Sequence, residues 1–348
     1  MIKKRIICAL AALLLLAVLL WLATLLLLPK YASQSREGNL VAEYYDEVEA
    51  GNHHQVIFVG DCEVYETFVP ATLWHEYGIT SYVRGSAQQL IWQSYYLLEE
   101  MLEYETPEAV VFNVLSMKYG EPQNEAYNRM TIDGMRWSES KIGAIKASMT
   151  EDETFASYIF PLLRFHSRWK ELSREDIQYM FTREKVAYNG YMIQTNVKPM
   201  ESMSQGSELM DYTLPETAFE YLDKMRELCE EKGVELILVK SPTNTWKYWW
   251  YDEWDAQIRD YADQYGLDYY NFIDNEEIGI DWSRDTYDAG VHLNVWGAEK
   301  MTAYFGEILA EKYGIESLKS DAETARVWEE KLSQYEDAKQ KMMEENEK

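Results

Sequence analysis

Residues 55–70, QVIFVGDCEVYETFVP, pass from a buried-strand pattern to a helix start within a few positions. Val56, Ile57, Phe58 and Val59 form a continuous β-branched and aromatic run between polar neighbours, the pattern of a strand buried on both faces of a parallel sheet. Gly60 lets the backbone turn sharply, and Asp61 is a good N-cap for a following helix with Cys62 in its first turn. A side chain at that position lies on the carboxyl edge of the sheet, where open α/β folds bind their ligands. The positive end of the helix dipole favours a thiolate there, which makes Cys62 the first candidate for a nucleophile. The competing assignment is a small buried hydrophobe, the ordinary fate of a free cysteine.

From this stretch onward strands and helices alternate. Residues 80–83 make a second strand ending at Gly85, residues 87–104 a helix with an apolar face, and residues 109–114 a third strand. Such alternation specifies βαβ units and a parallel sheet, hence an α/β fold. Between residues 118 and 213 the pattern changes to helices and loops rich in Trp and Tyr. Helices are expected at 123–130, 138–148, 155–169 and 174–181, a turn at Tyr188-Asn189-Gly190-Tyr191, and a flexible connection at 199–206. A helical insertion between two strands lies over the carboxyl edge, either as a lid or substrate wall or as a structural subdomain. The α/β pattern resumes with a helix at 215–232, a strand at 234–239, a helix at 254–265, a strand at 267–272 and a helix at 295–313. Residues 317–348 are charged, with Val327, Trp328, Leu332 and Tyr335 at helical spacing, so a helix that docks at its start and frays towards its end is expected.

The net charge of −27 excludes nucleic acid as a partner and disfavours contact of the soluble part with an anionic lipid surface. Residues 6–28 are an uninterrupted apolar run, long enough to cross a bilayer as a transmembrane anchor, and Lys3, Lys4 and Arg5 mark residues 1–5 as a cytoplasmic tip. The run exceeds the roughly 7–15 apolar residues of a signal peptide, and Pro29-Lys30-Tyr31 is a poor cleavage site. A single-pass signal-anchor in the cell membrane with an extracytoplasmic bulk is therefore expected. Residues 29–54 are polar and acidic and are assigned as a stalk with a helix around 40–48; residues 55–316 form the α/β domain. Cys8 falls in the span. Cys229 shares helical spacing with Phe219, Leu222 and Met225, as a packed core residue does, and a bridge from it to Cys62 would remove the nucleophile.

Residues 285–297, DTYDAGVHLNVWG, crowd an aspartate, a histidine and an asparagine between a strand region and a helix. A thiol nucleophile needs a base, and the base needs a carboxylate that fixes its tautomer. Cys62, His292 and Asp288 supply these three roles, with Asp285 as the alternative carboxylate. The other histidines, His53, His54, His75 and His166, form no HExxH pattern and no CxxC is present, so neither a metal nor a cofactor is expected.

Taken together, these blocks resemble the SGNH/GDSL hydrolase superfamily. Its first block, a strand followed by Gly-Asp-Ser, is matched by Gly60-Asp61-Cys62 with cysteine in place of serine. Its last block, Asp-x-x-His followed by Leu-Asn and a helix-opening glycine, is matched by His292-Leu293-Asn294 and Gly297. Asp288 stands one residue too far from His292 for that pattern, so either a one-residue bulge restores the geometry or Asp285 takes the role. Residues 60–70 also resemble the membrane-anchored branch involved in D-alanylation of teichoic acids and acetylation of exopolysaccharides. The resemblance spans about residues 56–310, with the insertion unmatched.

That resemblance implies a three-layer, flavodoxin-like fold and acyl ester chemistry, as an esterase or O-acyltransferase, on a cell-envelope glycan or polymer. It implies an oxyanion hole built from the Cys62 amide, a glycine after the second strand, which Gly85 fits, and an asparagine after the third. Asn113 is the nearest candidate for the last, but the family's Gly-x-Asn-Asp block is missing, and a strand asparagine satisfied by its neighbours is the other assignment. Trp246, Trp249 and Trp250 follow a strand's carboxyl end and are assigned as a sugar-stacking wall. The expected partners are the membrane, a carbohydrate or envelope-polymer substrate, and membrane-bound proteins. The alternative function is a non-catalytic binding or assembly module on the same fold, because exchanging oxygen for sulfur changes both reach and basicity at a site shaped for serine.

Overall fold

A computed structural model describes residues 2–28, 37–181, 185, 187–199, 208–244 and 250–346. Helix α1 (Ile2–Leu27) has a mean hydropathy of 3.0 and no buried residue, so its length and composition suit it to cross a membrane. Among the described residues, five strands form one parallel sheet: β1 (Val56–Gly60), β2 (Ser81–Gly85), β3 (Ala109–Asn113), β4 (Glu235–Lys240) and β5 (Asp268–Asn271). Their order is β2-β1-β3-β4-β5, with Gly60 opposite Gly85 and Asn113 opposite Val239. Because all strands run the same way, their carboxyl ends share one edge, and the winding reverses between β1 and β3.

Alternate residues of each strand feed two cores. Val56 and Phe58 point to one, Ile57 and Val59 to the other. The first core is covered by α3 (Cys62–Thr67), α4 (Pro70–Tyr77) and α13 (Val295–Glu311), whose buried Ala298, Met301, Phe305 and Leu309 recur at helical spacing. The second is covered by α5 (Ile91–Met101), α11 (Glu216–Lys232) and α12 (Asp252–Tyr265). Helices thus flank both faces of the sheet in three layers.

The insertion holds α6 (Glu125–Ile132), α7 (Glu139–Ser148), α8 (Phe155–Ile159), α9 (Leu162–Phe165) and α10 (Arg174–Tyr179). The single helix expected at 155–169 is broken at Pro161, which forces Phe160 out of the helical region (φ −121°, ψ 79°). Helices α6 and α7 build a third core with Leu97 of α5, so this half of the insertion is a structural subdomain rather than a lid. Its return leg, residues 187–199, does reach the sheet edge. The turn at 188–191 forms as expected, with Asn189 and Gly190 at φ 51° and 85°, and Asn189 accepts a hydrogen bond from Val83 of β2 (2.9 Å). A side chain at position 190 would collide with the Val83 carbonyl, which is why glycine stands there.

Two expectations are corrected at the ends of the domain. Most of the described part of the assigned stalk is helix α2 (Glu37–Ala50), with Leu40, Val41, Tyr44 and Tyr45 buried. It is locked by a buried network: Arg84 pairs with Glu100 (2.9 Å) and lies over the Tyr44 ring, while Tyr45 and Tyr44 donate to Glu100 (2.6 Å) and Glu105 (2.7 Å). His54, also buried, contacts Glu105 at 3.1 Å. The segment's own acids are engaged as well: Glu47 pairs with Lys331 and lies 3.7 Å from buried His54, and Glu43 accepts from the Ala187 amide (3.2 Å). The C-terminal helix docks at its start as expected, but among the described residues it stays helical to Asn346 instead of fraying. Helix α14 (Ala322–Asn346) buries Trp328 against Trp74 (ring centroids 5.8 Å apart), buries Tyr335, whose hydroxyl donates to Glu299 (2.7 Å), and ends with Asn346 donating to Thr195 (2.7 Å).

Removing the Trp328 indole should therefore cost about 3–5 kcal/mol, the range for a buried large aromatic. Thermal unfolding of full-length Trp328→Ala in detergent checks this: a clear drop in midpoint is expected, and an unchanged midpoint would mean that α14 is not docked.

Candidate active site

The residues singled out by the sequence meet at the carboxyl edge of the sheet. Cys62 is the first residue of α3, directly after β1, with Asp61 as N-cap accepting from the Glu63 amide (3.1 Å). From a position 230 residues later, His292 places Nε2 3.2 Å from the Cys62 sulfur. Its other ring nitrogen, Nδ1, lies 2.6 Å from Asp288 Oδ2. A carboxylate only accepts, so Nδ1 carries a proton and Nε2 is the atom that exchanges a proton with the thiol. Cys62, Cys229 and Cys8 are all free, and Cys229 is buried in the opposite core.

The spacing between Asp288 and His292 is resolved by the backbone. Ala289 and Gly290 both take positive φ (68° and 88°), and this tight turn folds Asp288 back so that its Oδ1 also accepts the His292 amide (2.8 Å). Gly290 is anchored in turn: its amide donates to Thr286 Oγ1 (2.9 Å) and its carbonyl accepts from the Asn244 amide (2.8 Å). Asp285 is not the orienting carboxylate. It is buried, pairs with Lys300 (2.6 Å) and accepts from the Asp281 amide (2.8 Å). Asn294 caps α13, and its amide ties the Arg284 and Asn196 carbonyls (2.7 and 3.1 Å) beneath the histidine. The insertion's return leg staples both halves of the site, with the Met192 amide on Tyr65 O (3.0 Å) and the Val295 amide on Gln194 O (2.8 Å).

A second carboxylate is present that the sequence assignment missed. Glu66 Oε2 lies 3.4 Å from His292 Nδ1, and its other oxygen accepts from the Tyr287 hydroxyl (2.6 Å). Its signal was legible: Glu66 is four residues after Cys62, the interval that puts two side chains on one helix face.

These charges set the proton positions. Burial pushes the Cys62 thiol up to about 12, the His292 ring opposing this and the Asp61 and Glu66 carboxylates adding to it. The favourable helix end, worth at most about 1 kcal/mol on an exposed helix, is outweighed, so the expected thiolate is not the resting form. At His292 burial disfavours the charged ring, but Glu66, the Cys62 sulfur and Asp288 outweigh it and hold the pKa well above the usual histidine value. The two directions oppose a free base at rest: the thiol is held towards its protonated form and the ring towards its charged form.

Of the expected oxyanion groups, Gly85 packs against the turn that carries Cys62; a Cβ there would lie 2.6 Å from Val64 and 3.1 Å from the Gly60 and Asp61 carbonyls. The Asn113 side chain is otherwise engaged, correcting its assignment. Its amide donates to Glu63 Oε2 (2.8 Å) and Ser241 Oγ (3.3 Å), and Glu63 is paired with buried Lys240 (2.8 Å). Trp250 is 2% exposed, with its ring 5.6 Å from that of Trp254 in the core, so it is no sugar wall; Trp246 and Trp249 lie outside the described residues. Among the described residues, no group of three or more His, Cys, Asp or Glu side chains is set to hold a metal.

A protein-family model that carries no functional description matches residues 204–314, 111 of the 348 residues. That match contains Asp288 and His292 and leaves out Cys62. Comparison with curated proteins gives no match.

If Glu66 raises the His292 pKa, Glu66→Gln should shift the ring's deprotonation to lower pH by about one unit or more. Iodoacetamide labelling of Cys62, followed by peptide mass spectrometry across pH, reports it. Labelling should rise with pH above neutrality in the wild type and at lower pH in the variant; superimposable profiles would remove Glu66 from the account.

Proposed function

We propose that the chain is an anchored, extracytoplasmic α/β protein of SGNH type that performs acyl ester chemistry, hydrolysis or transfer, on a carbohydrate or other cell-envelope polymer. The observation that carries this proposal is the continuous line from the Asp288 carboxylate through the His292 ring to the Cys62 sulfur, with contacts of 2.6 and 3.2 Å. The strand order, with its reversal between β1 and β3 beside Cys62, supports a flavodoxin-like arrangement. Lys3, Lys4 and Arg5 ahead of α1 support a cytoplasmic N-terminus, which leaves the site outside.

In this mechanism neutral His292 accepts the thiol proton at Nε2 as the sulfur attacks the acyl carbonyl. The oxyanion is stabilised by the Cys62 and Gly85 amides. Collapse breaks the ester C–O bond, and the leaving alcohol takes the proton from Nε2, which leaves a Cys62 thioester. Water or a second hydroxyl then gives its proton to His292 and attacks the thioester, so the acyl group departs and the sulfur regains a proton. Asp288 holds the ring in the tautomer both steps need.

The raised thiol and the engaged Asn113 side chain favour a second reading, a non-catalytic envelope binding module that has kept the groove. Turnover of p-nitrophenyl acetate by full-length protein separates the two. Cys62→Ala should abolish it, His292→Ala should lower kcat by about 10²–10⁴-fold, and Cys229→Ala should leave it unchanged. Wild-type turnover no greater than that of Cys62→Ala would leave the binding module as the function.

A further inference from the structure

Helix α1 does not stand free along its whole length. Its residues up to 22 are exposed, but residues 23–28 are half-buried where α9, the 3₁₀ turn His166–Lys170 and α10 pack on it. Arg168 closes this junction. Its guanidinium donates to the carbonyls of Leu27 (3.0 Å) and Leu28 (2.6 Å), acceptors left without helical donors at the end of α1, and to Asp176 in the first turn of α10 (3.1 Å). The insertion therefore touches the span at the end where it leaves the bilayer.

These elements, with α8 just before them, expose apolar surface. Ile159, Phe160, Leu163, Trp169, Ile177 and Phe181 are 45–79% exposed. Among the described residues outside α1, these are six of the twelve exposed large hydrophobics, and they fall within residues 155–181. Scattered singly they would need no explanation; concentrated beside a membrane span they mark a contact surface. The local acidity also falls away. Across residues 155–181 four cations, Arg164, Arg168, Lys170 and Arg174, balance three acids, Glu171, Glu175 and Asp176, in a chain of net charge −27. A tryptophan with large aliphatic and aromatic side chains is the composition of a segment at the lipid–water interface, and of its cations Arg164 is held by Glu125 (2.7 Å) and Arg168 by Asp176 (3.1 Å) within the protein.

We propose that this face of the insertion lies in the headgroup layer of the bilayer that α1 spans, on the side where the helix emerges. It is a second attachment that fixes the α/β domain against the membrane, and it is independent of the chemistry proposed for Cys62.

The test uses the full-length native chain in vesicles of phosphatidylcholine and phosphatidylglycerol that carry a diazirine-bearing phospholipid. After illumination, lipid adducts should map to peptides from residues 155–181 as well as to α1. Paired Phe160→Asp and Leu163→Asp replacements, at exposed positions, should reduce the 155–181 adducts severalfold and leave those on α1. Adducts confined to residues 2–28 in the native chain, as expected if the face serves a protein partner instead, would overturn the proposal, as would an unchanged pattern in the double variant.

Discussion

The imidazole of His292, clamped between the Asp288 carboxylate and the Cys62 sulfur, is the contact on which the candidate site depends. It exists because a parallel sheet gathers the carboxyl ends of its strands on one edge, so that the turn after β1 and the loop before α13 share a rim. The rim alone does not fix a 3.2 Å approach. Positive φ at Ala289 and Gly290 turns Asp288 onto the ring, and the return leg at 187–199 bonds to both α3 and the histidine loop. Beneath them Glu63, Lys240 and Asn113 join α3, β4 and β3 through buried hydrogen bonds. Such a pair adds little net stability against its desolvation cost, but leaving one partner alone would be expensive, so it resists displacement of α3.

Electrostatics at the site is a contest between burial and two acids. Burial favours a neutral thiol, while Asp288 and Glu66 favour a charged ring, and neither effect is offset by the short helix behind Cys62. The direction at the sulfur is therefore away from thiolate character. For the proposed chemistry, attack would wait on the ring losing its proton, which would couple the site to the pH of its surroundings.

Much of this was legible in residues 55–70 and 285–297, because strand, turn and cap chemistry are local. Gly60, Asp61 and Asn294 announce their elements without tertiary help, and the apolar run of α1 needs only its length. Where the sequence misled, the competing effect was tertiary. Residues 37–50 look like a stalk until Glu105 and Glu100 accept the Tyr44 and Tyr45 hydroxyls and Lys331 pairs with Glu47, although Leu40, Val41, Tyr44 and Tyr45 already lie at helical spacing. Trp250 looks like a ligand platform until its burial is known. Asn113 carries no local mark that separates an oxyanion donor from a strut; the decision rests with Glu63 and Ser241, which the fold brings from other elements. Asp285 and Asp288 could be told apart only by the loop's backbone.

The central claim is that sulfur facing imidazole performs acyl transfer, and the most direct measurement is the mass of the protein after brief incubation with an activated acyl ester at mildly alkaline pH. The account predicts one acyl group on Cys62, released by neutral hydroxylamine as a thioester is and formed far more slowly when His292 is replaced by alanine. Acylation spread equally over Cys62 and Cys229, or absent from both, would contradict it.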